Sequence, residues 1–409
     1  LHIWHLKVIG RWVMIPRLKA DLRISDLIAL LPSRDNQAER ERFEHAFALL
    51  AEQKHAISFA HGRIGQIAIL KALGESGGEV ICPSYTCIVV VHAIVKAGMK
   101  PVFIDSNQLD FNMDWDLVRE ATNSGTKAII ATSIFGHPVN SDAFNAYRKH
   151  FPEIPILQDC AHSFFANNSH KDGIAAFYGL NVSKIITSIF GGMVTTDDSK
   201  FAAKIRKVRS DMLQDGGILH EIKRSLYLIA VIISFTRPIY RIVNFLELNN
   251  LINRFVKYYD PSIIDLPDDA FLYMGGVESR IGVIQCARYH KIVKHRRCIA
   301  RIYHNNLTGI SDFVMPPKHS GMTVSHFVVR TKHADLIKTA CLQEGIQLGE
   351  LLDYDCSEIP VYKNAKYLGK KKSKEFPKLV INLPVHSGID NEDAYRICST
   401  IKSIASQLK

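Results

Sequence analysis

Ile154–Asp198 reads IPILQDCAHSFFANNSHKDGIAAFYGLNVSKIITSIFGGMVTTDD. Pro155-Ile156-Leu157-Gln158-Asp159 is a short apolar strand that ends on a carboxylate, the edge at which open α/β sheets place their ligands. Ala176-Phe177-Tyr178-Gly179-Leu180 reads as a second buried strand that runs into Asn181-Val182-Ser183-Lys184. A loop closed by Gly191-Gly192 follows, and Met193–Thr196 resumes β character. An acid and a lysine are thus each delivered by a strand end.

Working outward, the segments alternate. Ile57–Ala60 reads as a strand, His61–Gly65 as a glycine turn and Gln66–Leu73 as an apolar helix. Glu79–Pro83 is the next strand, Ser84–Cys87 a turn and Ile88–Ala97 a helix, and Lys100–Asp105 and Thr126–Ser133 add two strands. Strand-helix alternation predicts an α/β fold with a mostly parallel sheet and helices on both faces. Further on, a basic helix at Ile284–Leu307, a strand at Val324–Arg330, a helix at Ala334–Glu344, a strand at Leu379–Pro384 and a helix from Glu392 predict a smaller C-terminal α+β domain. The expected division is residues 1–55 as an N-terminal segment, 56–203 as the large domain, 204–258 as an insert and 259–409 as the small domain. Within the first of these, 1–13 are expected to precede the working start near Met14.

A lysine amine that forms a Schiff base, with an acid that keeps a pyridine nitrogen protonated, is the pair a pyridoxal phosphate (PLP) site requires. Either residue alone has an ordinary reading, as a surface charge or a turn former. Upstream, a strand, a glycine and a helix N-terminus at Ser58–Leu73 offer backbone N–H groups and a positive dipole end to a phosphate, or make a plain tight βα connection.

With 409 residues, 47% hydrophobic and 22% charged, the chain is globular and long enough for two domains. Its eight cysteines show neither CxxC nor Cys/His metal spacing, so no metal site is expected, and reduced core thiols in a cytoplasmic protein are. A net charge of +11 favours an anionic partner. No zinc finger, RNP-type pattern or basic tail points to nucleic acid.

From Ile57 to the C-terminus the order of segments resembles the DegT/DnrJ/StrS-type aminotransferases, PLP enzymes of the aspartate-aminotransferase fold type. Ser58–Leu73 is similar to that family's Gly-Thr phosphate turn, and Val80–Ala97 to its VIVPSFTF segment. Pro101–Asp105 is similar to PVFVD, Gln158–Ser163 to EDAAQ/H and Asn181–Lys184 to its lysine motif. The resemblance implies that Lys184 is the Schiff-base lysine, that Asp159 pairs with the pyridine nitrogen and that His162 lies against the cofactor. It places Gly62, Arg63, Cys87, Gly179 and Ser183 around the cofactor. Arg63 stands where a small hydroxyl residue is usual, Cys87 where an aromatic often stacks unless Tyr85 moves over, and Gly179 where a phosphate-binding Ser is common. Phe271–Gln285 is similar to GYNYRM…Q, which reaches the neighbouring subunit's site. Arg280 is accordingly a candidate partner-subunit contact, Glu278 replaces an Asn, and Tyr85 and His326 are candidate contacts at the mouth.

The resemblance implies a homodimer that transfers an amino group from an amino acid such as glutamate to a nucleotide-linked keto-sugar. The setting expected is cell-surface polysaccharide or secondary-metabolite biosynthesis. One alternative is a PLP-dependent sugar dehydratase, disfavoured because that branch replaces the lysine by histidine. Another is a binding or regulatory protein at the membrane that has lost turnover. The second rests on the substitutions at Arg63, Cys87, Gly179 and Glu278 together with residues 225–246, where a run of about ten apolar residues, too short to span a bilayer, lies beside Lys223, Arg224, Arg237 and Arg241. That pattern suits an interfacial helix on the inner face of the membrane, although a buried helix or dimer contact at the domain junction is the favoured reading.

Overall fold

The computed structural model describes residues 14–31, 35–74, 77–248, 262–318, 321–349 and 352–408. After a 3-10 segment at Ile24–Leu30 and helix α1 (Asn36–Ala51), β1 (His55–Phe59) leads into α2 (Gly62–Ala72) and β2 (Glu79–Pro83) into α3 (Ile88–Lys96). Next, β3 (Lys100–Ile104) leads into α4 (Trp115–Ala121) and β4 (Thr126–Thr132) into α5 (Ser141–His150). β5 (Ile156–Asp159), β6 (Ala175–Gly179) and β7 (Gly192–Thr196) precede α6 (Ser199–Met212), α7 (Gly217–Ser234) and α8 (Arg237–Leu248). The remaining elements are α9 (Gly276–Leu307), β8 (Phe327–Arg330), α10 (Ala334–Gln343), β9 (Tyr367–Leu368), α11 (Phe376–Leu379), β10 (Val380–Leu383) and α12 (Asn391–Ser406).

Eight strands form one sheet in the order β1-β7-β6-β5-β4-β2-β3-β9. β7 is antiparallel to both of its neighbours and every other pair is parallel. Alternate side chains serve opposite layers, as a period of two requires. Val80, Cys82, Ala128 and Ile130 join α2, α3 and α6 in one core, whereas Ile81, Ile129 and Ala131 join Trp115, Phe144 and Tyr147 of α4 and α5 in another. Burial on both faces explains why these strands read as continuous apolar runs. Each fully buried Ile or Phe contributes about 1.5–3 kcal/mol.

A second sheet pairs β10 with β8 antiparallel, and α10, α12 and the C-terminal half of α9 close its core. The N-terminal half of α9 packs instead on α1, through Cys286, Tyr289 and Ile292 against Phe43 and Phe47. The chain also returns to the large sheet, where β9 extends the edge beside β3 at Phe103↔Tyr367.

Two helix starts differ most from the sequence reading. α2 begins at Gly62, directly after an extended His61, rather than after a separate glycine turn. α9 begins at Gly276 rather than near Ile284, because the buried Glu278 carboxylate accepts the Gly275 N–H at 2.8 Å and caps it. Residues 249–258 of the insert lie outside the described residues.

Candidate active site

The C-terminal ends of β1, β4, β5 and β6 meet the N-termini of α2 and α3 around a cleft of about 170 Å³. Asp159, Lys184, His162, Gly62, Arg63, Cys87 and Gly179 all line it. The parallel register explains this, because it brings strand ends from distant parts of the chain to one edge.

Asp159 closes β5 and is 3% exposed. Its Oδ1 accepts the Ala161 N–H at 3.1 Å, and its Oδ2 accepts the Thr132 hydroxyl at 3.4 Å. Burial pushes its carboxyl above the ordinary value against the pull of the Ala161 N–H, the Lys184 charge and Thr132. Lys184 is partly buried on the loop after β6, and burial lowers its amine below the ordinary value against Cys87 and Asp159. Both groups are thus shifted toward neutrality. A protonated pyridine nitrogen would supply the counter-charge that Asp159 lacks, and an amine that gives up its proton easily is the form that attacks a carbonyl.

The lysine loop is held by its own side chains. Asn181 Oδ1 accepts both the Ser183 hydroxyl at 2.6 Å and the Ser183 N–H at 3.0 Å. Ile189 sits in the left-handed region with φ 69°, a conformation that costs a β-branched residue about 1–3 kcal/mol. Ser183 is oriented by Asn181 and is not among the cleft-lining residues.

His162 offers Nδ1 to the Phe135 N–H at 3.3 Å, stacks on the Phe135 ring and lies 4.7 Å from the His326 ring. Burial, with Lys184 next in strength, holds both imidazoles well below the ordinary histidine value. His326 therefore stands behind His162, one residue before β8 of the small domain.

On the opposite wall the α2 N-terminus carries Gly62 and Arg63. A Cβ on Gly62 would lie 2.9 Å from the Tyr178 carbonyl oxygen, so only glycine allows this approach to β6. At Gly179 a Cβ would meet the Lys184 Cε at 3.5 Å and the Ala161 Cβ at 3.8 Å, both ordinary contacts. Cys87 is the residue before α3, whose Ile88 N–H donates to the Tyr354 hydroxyl at 3.0 Å.

Besides Ser183 and His326, two residues read from the sequence lie away from the cleft lining. Tyr85 is fully buried against Phe111, Phe135 and Phe376. Arg280 donates Nε–H to the Ala29 carbonyl at 2.8 Å and pairs with Glu39 at 3.6 Å. Glu278, whose acid sits where an Asn is usual, is neutralised by Arg224, Nε to Oε1 3.1 Å. Residues that sequence reasoning passed over include Thr132, His61 and Tyr354. Thr132 has a findable signal, since it ends β4 as the register partner of Asp159.

A mixed sheet of this order, with an acid and a lysine at its carboxyl edge, defines the PLP-dependent transferase fold of type I. Within that class, the chain belongs to the DegT/DnrJ/EryC1/StrS aminotransferase family, which matches residues 27–225 and 272–402. It is 24% identical over 381 residues to a GDP-perosamine synthase of Vibrio cholerae, covering 89% of this chain and 90% of that one. A GDP-perosamine synthase of Caulobacter vibrioides is 33% identical over 173 residues, 41% of this chain and 46% of that one. Among solved structures, an aminotransferase of pseudoaminic acid biosynthesis from Helicobacter pylori superimposes with a TM-score of 0.75 at 18% identity, covering 96% of this chain and all of that one. A Streptococcus pneumoniae sugar aminotransferase in its PLP-form gives 0.75 at 20% identity, covering 97% of this chain and all of that one. The protein is a PLP-dependent aminotransferase, and the donor set of the cleft fits that cofactor.

Proposed function

We propose that this aminotransferase moves an amino group from glutamate to a nucleotide-linked keto-sugar for a surface polysaccharide or secondary metabolite. The convergence of Asp159, Lys184 and the α2 N-terminus on one cleft carries the reading, and the names of the relatives, two GDP-perosamine synthases among them, support the substrate class. Bound PLP supplies a sink for the electron pair left at the donor Cα. Lys184 would take the proton from that carbon and deliver it to the carbon of the cofactor's aldehyde group, a role suited to an amine whose pKa burial has lowered. Asp159 would hold the ring nitrogen in its protonated form, Thr132 and the Ala161 N–H fix the carboxylate, and His162, kept neutral by burial, would offer an uncharged wall to the ring. Gly62 and Arg63 receive the phosphate, Arg63 by charge. As in the family, two subunits are expected to complete each site.

The test is the visible absorption spectrum of the protein with added PLP, beside Lys184→Ala, before and after glutamate. The expected result is a band that glutamate bleaches and that the variant lacks, followed by amination of keto-sugar nucleotides. Absence of the band in the wild type would overturn the reading and favour a binding protein without turnover.

We further propose that α7 and α8 rest on an anionic membrane surface. Leu226, Ile233, Ile242 and Phe245 are 62%, 47%, 59% and 60% exposed, and the positive charge of the chain supports a negative partner surface. None of the described helices is long and apolar enough to cross a membrane.

A further inference from the structure

His61, the residue before α2, lines the cleft with its neighbours Gly62 and Arg63. Its Nε2–H donates to Asp269 Oδ1 at 2.7 Å, and its ring stands edge-on to Phe190 with centroids 6.0 Å apart. The other oxygen of Asp269 accepts from Arg224 of α7. Arg224 is 8% exposed, lies over the Phe190 ring at 4.2 Å and turns its Nε to Glu278 at 3.1 Å. Glu278 in turn faces His220 of α7 at 3.5 Å. Basic and acidic groups therefore alternate without a break from the cleft wall to α7. Asp269 lies in the stretch 226–271 that the family does not match, and Arg224 lies at its border.

We infer that Asp269 and Arg224 are positioning residues for the cofactor's phosphate, acting through His61. The inference rests on placing that phosphate at the α2 N-terminus, as proposed above. A histidine free to rotate would lose side-chain entropy on gripping an anion. Here Asp269 fixes one ring nitrogen and Phe190 limits the tilt, so His61 stands ready beside Arg63. Two basic side chains then replace the hydroxyl residue usual at this turn. Burial alone would raise the Asp269 carboxyl, but His61 and Arg224 hold it well below the carboxylate range, so the support stays charged at every working pH. α7, the first helix of the insert, is thus built into the cofactor site as well as the surface.

The test uses the full-length apoprotein titrated with PLP and, separately, with pyridoxal, which has the same ring and aldehyde but no phosphate. Asp269→Asn and Arg224→Lys should each weaken PLP about tenfold, as expected for loss of a charge-assisted hydrogen bond, and leave pyridoxal unchanged. His61→Ala should do the same, and the His61→Ala/Asp269→Asn double variant should be no weaker than His61→Ala alone. Thermal midpoints of the apoproteins identify any variant that fails to fold, and Asp269→Asn keeps the shape of the side chain. Equal weakening of PLP and pyridoxal, or unchanged PLP binding in well-folded variants, would overturn the inference alone. A wild type that binds neither would overturn the proposed function together with it.

Discussion

At the residue scale, histidines are read better from their surroundings than from their charge. His386 is 2% exposed, donates Nε2–H to the Pro16 carbonyl at 2.9 Å and accepts the Gly388 N–H at 3.1 Å on Nδ1. Burial pushes it down to about 3, against the pull of Pro16. Its folded value lies below the unfolded one of about 6.5. The unfolded chain therefore takes up a proton first as pH falls, and stability present above about pH 6.5 is lost progressively toward pH 3. By pH 5 this one residue accounts for about 2 kcal/mol. Urea midpoints of the wild type should fall between pH 7 and pH 5, and those of His386→Gln should fall less steeply. Parallel curves for the two proteins would refute the assignment.

At the element scale, the β1–β6–β7 crossing sets the cleft wall through its glycines. A Cβ on Gly192 would lie 2.4 Å from both the Cα and the nitrogen of Gly62, both backbone atoms that cannot swing away. Gly192→Ala should therefore destabilise the fold by about 1–3 kcal/mol and displace the α2 N-terminus. Gly179→Ser has room beside Lys184 and should cost little stability. A urea midpoint for Gly192→Ala no lower than that of Gly179→Ser would contradict this packing. The strands around these glycines were legible because burial on both faces writes itself as apolar runs, and Asp159 and Lys184 because they end such runs. The starts of α2 and α9 were not. His61 has no capping side chain, and the Glu278 cap reads in one dimension as an acid in the wrong place. The neighbours that face it, Arg224 and His220, lie more than fifty residues away in sequence and show no periodicity.

At the scale of the whole molecule, the insert is both tethered and open. One side of α7 is committed, with Leu228 and Val231 packed beside Val277 and Ile281 of α9. Its other side presents Leu219, Ile222, Leu226 and Ile233 to solvent, and α8 adds Ile239, Ile242 and Phe245. Flotation with anionic liposomes should carry the protein upward, neutral liposomes should carry less, and Leu226→Glu with Phe245→Glu should abolish the effect. A self-associating apolar face would instead give a larger species by light scattering with no lipid dependence, and that outcome would remove the membrane reading. The proposed dimer and this surface are separable in the same experiment, because the two glutamates should leave a dimer built elsewhere intact.

The return of β9 to the large sheet has a consequence for biogenesis. The outer edge of β3 is complete by Ile104, yet its partner Tyr367 lies about 260 residues further along the chain. At a synthesis rate of about 5–20 residues per second, that edge waits roughly 13 to 50 seconds for its closing strand on the ribosome. During that interval the nascent large domain exposes unpaired backbone of the kind that recruits chaperones or seeds aggregation.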